Sequence, residues 1–387
     1  MKKILLLLLA AAMLTGCSSK KSSGVSEPPP VDDTAVESPI IEYNASDFKK
    51  LEMPSEFLEK SAGIETEKIE LNKLDVFKGV DIKDYRINQT WYEGDNVYFS
   101  ADFSKSKKFK VYRYNYLTKE SSEIYSEDSD ENNPYAYQAI LVDEKQLIYF
   151  DSERTYVKAK DITTGKVRDV YHLPDVNIYN LNYINGHIYI YEAGKNIEDR
   201  IARLDINTGK TEVMDKNYNL YSDKSTSKSI AWTMEPTAGD DKRFDIVTDY
   251  YRLHTGLSNF EVLDVTEDTV ILEWTISNKI FTFNMNKMEE YWTDFSSSSS
   301  AFAVNGKLFT THYNDAGGNP LYCFIPEIGK GFLIDDNVTF AYTDGFLGEY
   351  PVLKSEFLIP PEIPKGATYI DDTPTIYVNL IVLKKGV

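Results

Sequence analysis

The chain has 387 residues, two cysteines, a formal net charge of −19 and 13% aromatic residues. A chain this acidic lacks the basic footprint that phosphate backbones require, which excludes nucleic acid and argues against broad adhesion to anionic lipid. Beyond an N-terminal cysteine only Cys323 remains, so no intramolecular disulfide is expected and the core holds by burial alone.

The chain opens "MKKILLLLLAAAMLTGC". Lys2 and Lys3 precede an apolar run from Ile4 to Leu14. That run is shorter than the ~20 residues a membrane-spanning helix needs and suits a signal-peptide core. Leu14-Thr15-Gly16-Cys17 resembles the lipobox of bacterial lipoproteins. The resemblance implies removal of residues 1–16, attachment of lipid to Cys17, and an extracytoplasmic location on a bacterial membrane. Loss of Lys2 and Lys3 takes the charge from −19 to −21.

Residues 17–43 are dominated by Ser, Pro and charge, bury little, and read as a flexible tether. Residues 44–65, with "NASDFKKLEMPSEFLEK", form a short segment of possible helical turns that Pro54 interrupts. From residue 66 to 387 short apolar alternations rich in Tyr, Phe, Val, Ile and Thr alternate with turn residues, which predicts an all-β domain.

Within that domain a phrase recurs. "NYLTKE" starts at Asn115, "DITTGK" at Asp161, "DINTGK" at Asp205, "RLHTGL" at Arg252, "NMNKME" at Asn284 and "IPEIGK" at Ile325. The steps are 46, 44, 47, 32 and 41 residues. Each phrase sits between two strand-like runs, and Gly209 supplies the positive φ of a tight turn. A second tight turn precedes it by a steady interval: Gly186 lies 23 residues before Gly209, Gly306 lies 23 before Gly329, and Asp344-Gly345 is followed by Gly366. Two hairpins per ~42 residues make one propeller blade. The expected fold is a β-propeller of four-stranded blades, seven in number, with six or eight as alternatives. The pattern resembles the quinoprotein-like and TolB-like propellers. The run "TEKIELNKLDVF" is expected to complete a last blade built from "ATYIDDTPTIYVNLIVLKK".

No local catalytic signature is present: no Gly-x-Ser-x-Gly, no His-Glu-x-x-His, no Gly-rich phosphate loop. His172, His187, His254 and His312 lack metal-ligand spacing, and Trp91, Trp232, Trp274 and Trp292 stand at unmatched positions for a quinone cofactor. Neither a metal nor a cofactor is therefore expected. "SEDSDENN" at 126–133 departs from a calcium loop, because Asn133 replaces the turn glycine and Ala139 the terminal Glu. "YWTD" at 291–294 is a coincidence of letters. Asp335-Asp336 and Asp371-Asp372 are adjacent pairs whose members point to opposite strand faces, so neither is a ready dyad. Cys323, in "LYCFI", reads as a small buried hydrophobe.

The connections "DFSKSKK", "EAGKNIED", "PTAGDDKR", "YNDAGGN", "SEDSDENNP" and "DKNYNLYSDKSTSK" look long and variable, and make the face opposite the tight turns the expected recognition surface. The chain is thus expected to be a non-catalytic binding or scaffold module for a protein or glycan partner, leaning away from an enzyme. The alternative is a hydrolase or lyase whose site is assembled from several blades. Converging carboxylates of raised pKa would favour the alternative.

Overall fold

The computed structural model describes residues 64–129, 139–151 and 153–172 throughout, and otherwise the strands named below with parts of their connections. Among the described residues the strands fall into seven sheets, each with an antiparallel run of four. The first sheet holds Tyr85–Glu93, Asn96–Phe103, Lys108–Asn115 and Ser121–Asp128. The second holds Ala139–Val142, Gln146–Phe150, Tyr156–Asp161 and Val167–His172. The third holds Val176–Ile184, His187–Gly194, Ile197–Asp205 and Thr211–Lys216. The fourth, fifth and sixth begin at Tyr218–Ser225, Phe260–Val265 and Ala301–Val304 and end at Arg252–His254, Met288–Trp292 and Lys330–Val338. The seventh holds Phe340–Leu347, Tyr350–Ile359 and Thr375–Lys385, and its fourth strand is Glu65–Glu70 from the other end of the domain.

That last pairing closes the ring as the sequence led us to expect. Ile69 lies opposite Leu380, Glu67 opposite Val382 and Thr66 opposite Leu383. Glu67 then accepts from Lys119, Lys384 and Tyr116, which ties the closing strand to the C-terminal strand and to the first sheet. The first strands of the fourth to seventh sheets and of the first stand side by side in order, so they are the inner strands of a β-propeller. Apolar side chains fill the space between neighbouring sheets. Phe77, Tyr85, Phe99 and Tyr112 pack with Val352, Leu380 and Val382 where the seventh sheet meets the first. Cys323 is fully buried, as a small hydrophobe would be.

The recurring phrase is a turn with a definite mechanism. Asp205 Oδ1 accepts from the amides of Asn207 and Thr208, its carbonyl accepts from Gly209 N, and Gly209 has φ 72°. Asp161 repeats this with Thr163, Thr164 and Gly165 at φ 71°. Asn115 does the same with Leu117 and Thr118, and Lys119 takes the glycine's place at φ 61°. The short polar side chain closes the loop on its own backbone, which explains why Asp or Asn opens the phrase.

Three sequence alignments need correction. "RLH" of "RLHTGL" is itself a strand, Arg252–His254, paired with Asp245–Thr248, so the phrase opens no turn there. Asp344-Gly345 lies inside the strand Phe340–Leu347 at a bulge, and the tight turn falls at Gly348. The segment expected to hold helical turns carries short strands, Lys49–Glu52 and Phe57–Leu58. Together with Asp32–Ala35 and Ile40–Glu42 they add a fifth, parallel strand to the outer edges of the third, fourth, fifth and sixth sheets in turn. Pro, Ser and charge do not prevent this, because an outer edge supplies backbone partners and asks little of side chains.

Candidate functional site

The tight turns gather on one face. Gly348 N donates to Gly94 O, Tyr116 N to Asp95 O and Ile162 N to Lys145 O, so the turns of the seventh, first and second sheets are fastened to one another or within a sheet. Near the axis on this face the inner strands bring several acids together.

Glu93 ends the first inner strand, and Asp143 and Glu144 form the turn that leaves the second. Both turn residues have φ 51°, a left-handed conformation that glycine or asparagine normally fills. Holding two acidic residues there stores strain, and such strain clusters at functional positions. The carboxyl of Glu93 lies close enough to that of Asp143 for the two to interact directly. Partial burial, then the negative charges of Asp143 and Glu144, push the Glu93 carboxyl upward and favour its protonated form. Both residues remain exposed. Glu144 is driven the other way. Its Oε1 accepts from Tyr98 OH at 2.7 Å and from Arg113 at 2.7 Å, which hold it ionised against some burial. Two neighbouring carboxyls thus sit on opposite sides of the usual range, the pattern that separates acid from base.

The walls of the site are aromatic. Tyr183, on the inner strand of the third sheet, is pushed up by burial and by the charges of Asp143 and Glu93. Trp91 stacks on Tyr98 with ring centroids 6.0 Å apart and donates Nε1–H to Leu141 O at 3.0 Å, which locks the first inner strand to the second. On the other side Asp344 accepts from Thr90 Oγ1 at 2.6 Å and from Tyr92 OH, which locks the first inner strand to the seventh. Burial and the charge of Asp344 keep Tyr92 neutral well beyond ordinary pH. Gly345 permits that contact: a Cβ there would lie 2.5 Å from the Tyr92 ring.

The residues singled out in the sequence fall elsewhere. His172 stacks on Tyr156 at an outer strand, with Nδ1 near Thr155 O, and His187 begins a strand of the third sheet. The side chains of His254 and His312 lie outside the described residues, as do Asp371 and Asp372. Among the described residues no three His, Cys, Asp or Glu side chains are grouped to hold a metal ion. Asp335 pairs with Lys68 at 2.8 Å. In the acidic run, Asp128 pairs with Lys108 and Glu127 with Lys160, so both are strand-edge charges; Asp130 and Asn132 lie outside the described residues. The expected long-loop face also shrinks. "EAGKNIED" is nearly all strand, "DKNYNLYSDKSTSK" contributes Tyr218–Ser225 to the fourth sheet, and only residues 104–107 separate the strands flanking "DFSKSKK". Much of "PTAGDDKR" and "YNDAGGN" lies outside the described residues.

Sequence reasoning passed over Glu93, Asp143 and Glu144 because acidic residues in turns are ordinary. One signal was available: "VDEKQ" is an inner hairpin turn without glycine or asparagine.

The N-terminal segment 1–18 matches the model described as a prokaryotic membrane lipoprotein lipid attachment site. The protein is a lipid-anchored, extracytoplasmic bacterial lipoprotein. No curated protein matches the sequence. Among solved structures the chain is similar to an oligogalacturonate lyase in complex with manganese, at 11% identity and TM-score 0.50, covering 84% of this chain and 99% of that one. It is also similar to the oligogalacturonate lyase of Vibrio parahaemolyticus (12% identity, TM-score 0.48, 83% and 98% covered). The β-propeller domain of the trilobed protease from Pyrococcus furiosus gives 14% identity and TM-score 0.47, with 70% and 90% covered. The likeness is one of fold, to propellers of enzymes rather than to the quinoprotein-like or TolB-like groups in particular. It overturns the expectation that leaned away from an enzyme. That expectation rested on missing local motifs, and a propeller site assembled from several sheets leaves none.

Proposed function

We propose that this lipoprotein is an extracytoplasmic hydrolase whose active site lies on the tight-turn face of a seven-bladed propeller spanning residues 66–387, with the lipid carried by Cys17 after loss of residues 1–16. The observation that carries the reading is the close pair of carboxyls, Glu93 and Asp143, contributed by two different sheets and set at the turns that leave their inner strands. A pair sharing one proton does two tasks at once: the ionised member takes a proton from water, and the protonated member gives one to the substrate's carbonyl oxygen. Glu93, whose carboxyl is pushed upward, is the donor, and Asp143 takes the acceptor's part. Glu144, fixed by Tyr98 and Arg113, holds the turn that presents Asp143.

The direct interaction of the two carboxyls favours hydrolysis at a carbonyl over glycoside cleavage, which needs carboxyls about 5 Å or more apart. The surrounding charge adds a second restriction. With Asp143, Glu144 and Asp344 around the mouth, an anionic substrate is repelled, so the substrate is a neutral or cationic amide or ester, such as an envelope peptide. The test uses the full lipoprotein in detergent with a fluorogenic peptide library and chromogenic esters. Turnover is expected, with a rate that falls above the Glu93 pKa and drops at least a hundred-fold in Glu93→Gln and Asp143→Asn. Absence of turnover on both substrate classes, or variants as fast as the parent, would refute it.

A further inference from the structure

The short strands before residue 65 keep a regular beat. They begin at Asp32, Ile40, Lys49, Phe57 and Glu65, a step of eight or nine residues each time. Eight extended residues cover about 27 Å. Over those steps the chain visits the outer edges of the third, fourth, fifth, sixth and seventh sheets, in the order in which the sheets themselves follow one another. The first four pairings are parallel and the last is antiparallel. A segment that merely collapsed on the surface would not keep one step, one direction and one edge per sheet.

We infer that residues 32–58 are a strap that binds the rim of the propeller and decides how the lipid anchor presents the protein to the membrane. Two consequences follow from the register. Asp32 lies opposite Glu212, directly after the "DINTGK" turn, and the strap strand runs parallel to Thr211–Lys216. The strap therefore starts on the tight-turn side of the rim, the side on which Glu93 and Asp143 stand. The reach of the anchor also shrinks. From Cys17 to Asp32 is fifteen residues, at most about 50 Å whatever path they take; from Cys17 to Glu65 is 48, about 160 Å. Docking the strap shortens the permitted distance about three-fold and places the lipid on the tight-turn side. The tight-turn face is turned toward the membrane, within reach of partners attached to it. The strap also covers four outer edges that would otherwise be open to pairing with other chains.

The test has two arms, both on the lipidated full chain in vesicles. In the first, paired cysteines are placed at register partners: Lys50→Cys with Glu290→Cys, and Ile41→Cys with Leu253→Cys. Oxidation is expected to cross-link each pair within the chain; failure of both pairs would overturn the strap. In the second, a fluorophore on Asn207→Cys, in the tight turn of the third sheet, or on Ser106→Cys, on the opposite face, reports energy transfer to a dye in the bilayer. Both parent residues are exposed. Stronger transfer from position 207 is expected, and a fourteen-residue Gly-Ser insertion after Ser18 should lower it. Equal transfer from the two positions, or stronger transfer from 106, would overturn the orientation. Neither readout depends on turnover, so a failed hydrolase assay leaves this inference standing and a failed cross-link leaves the hydrolase standing.

Discussion

Replacing Arg200 tests how the propeller's sheets are held against one another. Arg200 Nε donates to Glu192 Oε2 at 2.5 Å, and its Nη2 reaches Tyr171 OH at 3.4 Å. Glu192 is 0% exposed and Arg200 7%. Tyr171 belongs to the second sheet and the ion pair to the third, so the cluster bridges them. Arg200→Met keeps most of the volume and removes the charge. Glu192 then stays buried as an unpaired carboxylate or takes up a proton, and breaking a buried pair on one side costs about 3–5 kcal/mol. The double change Glu192→Leu with Arg200→Met removes both charges and should lie within about 1 kcal/mol of the parent. Urea midpoints of parent, singles and double give the coupling. The pH dependence has a definite sign. Without Arg200 the folded pKa of Glu192 rises above its unfolded value, so the variant's deficit is small in acid. It grows as pH rises toward that folded pKa, by at most about 1.4 kcal/mol per unit. A loss under about 1 kcal/mol for Arg200→Met at pH 8, or a loss that does not change with pH, would refute this account.

Three further outcomes are expected. Gly209→Val should cost about 1–3 kcal/mol, because φ 72° is closed to a β-branched residue. Gly209→Lys should cost less, since Lys119 occupies the matching place at φ 61°, and equal losses in urea would disprove the equivalence of the turns. Gly345→Ala should cost about 2–3 kcal/mol by pushing the Tyr92 ring off Asp344, whereas Gly94→Ala, with nothing within 4 Å of its Cβ, should cost only the about 1 kcal/mol that its φ of 55° imposes. A reversed order in thermal melts would show that the contact is slack. Glu67 and Glu212 are both lowered to about 2. For Glu67 burial works upward and is outweighed by Lys119, Lys384 and Tyr116; for Glu212 Lys210 and Arg203 lead. Their contribution is present above the unfolded value near 4.5 and is lost as pH falls toward 2, amounting to about 1–2 kcal/mol together after screening. Glu67→Gln should flatten the fall in urea midpoint between pH 6 and 3, and an unchanged slope would speak against it.

Features encoded over a few neighbouring residues were legible in the sequence. The lipobox at Leu14–Cys17 is such a feature. So is the turn opened by Asp161 or Asp205, where a side chain caps its own backbone and a glycine four residues on supplies the left-handed residue. Strand alternation gave the all-β class, and regular turn spacing gave four strands per sheet. The closing strand at Glu65–Glu70 was legible as a strand-like run ahead of the first turn, which a ring of four-stranded blades leaves free to complete the last one. What remained hidden depends on residues far apart in the chain. Glu93 and Asp143 are 50 positions apart and meet only because two inner strands lie side by side. Asp344 reaches Thr90 across 254 positions. The strap was illegible for a different reason: an added edge strand is held through backbone groups, which every residue carries, so residues 32–58 need no pattern of their own. Local capping and alternation are written in side chains, and the sequence by itself determined them. The meeting of the carboxyls and the path of the strap are set by closure of the ring, and only the tertiary structure decided them.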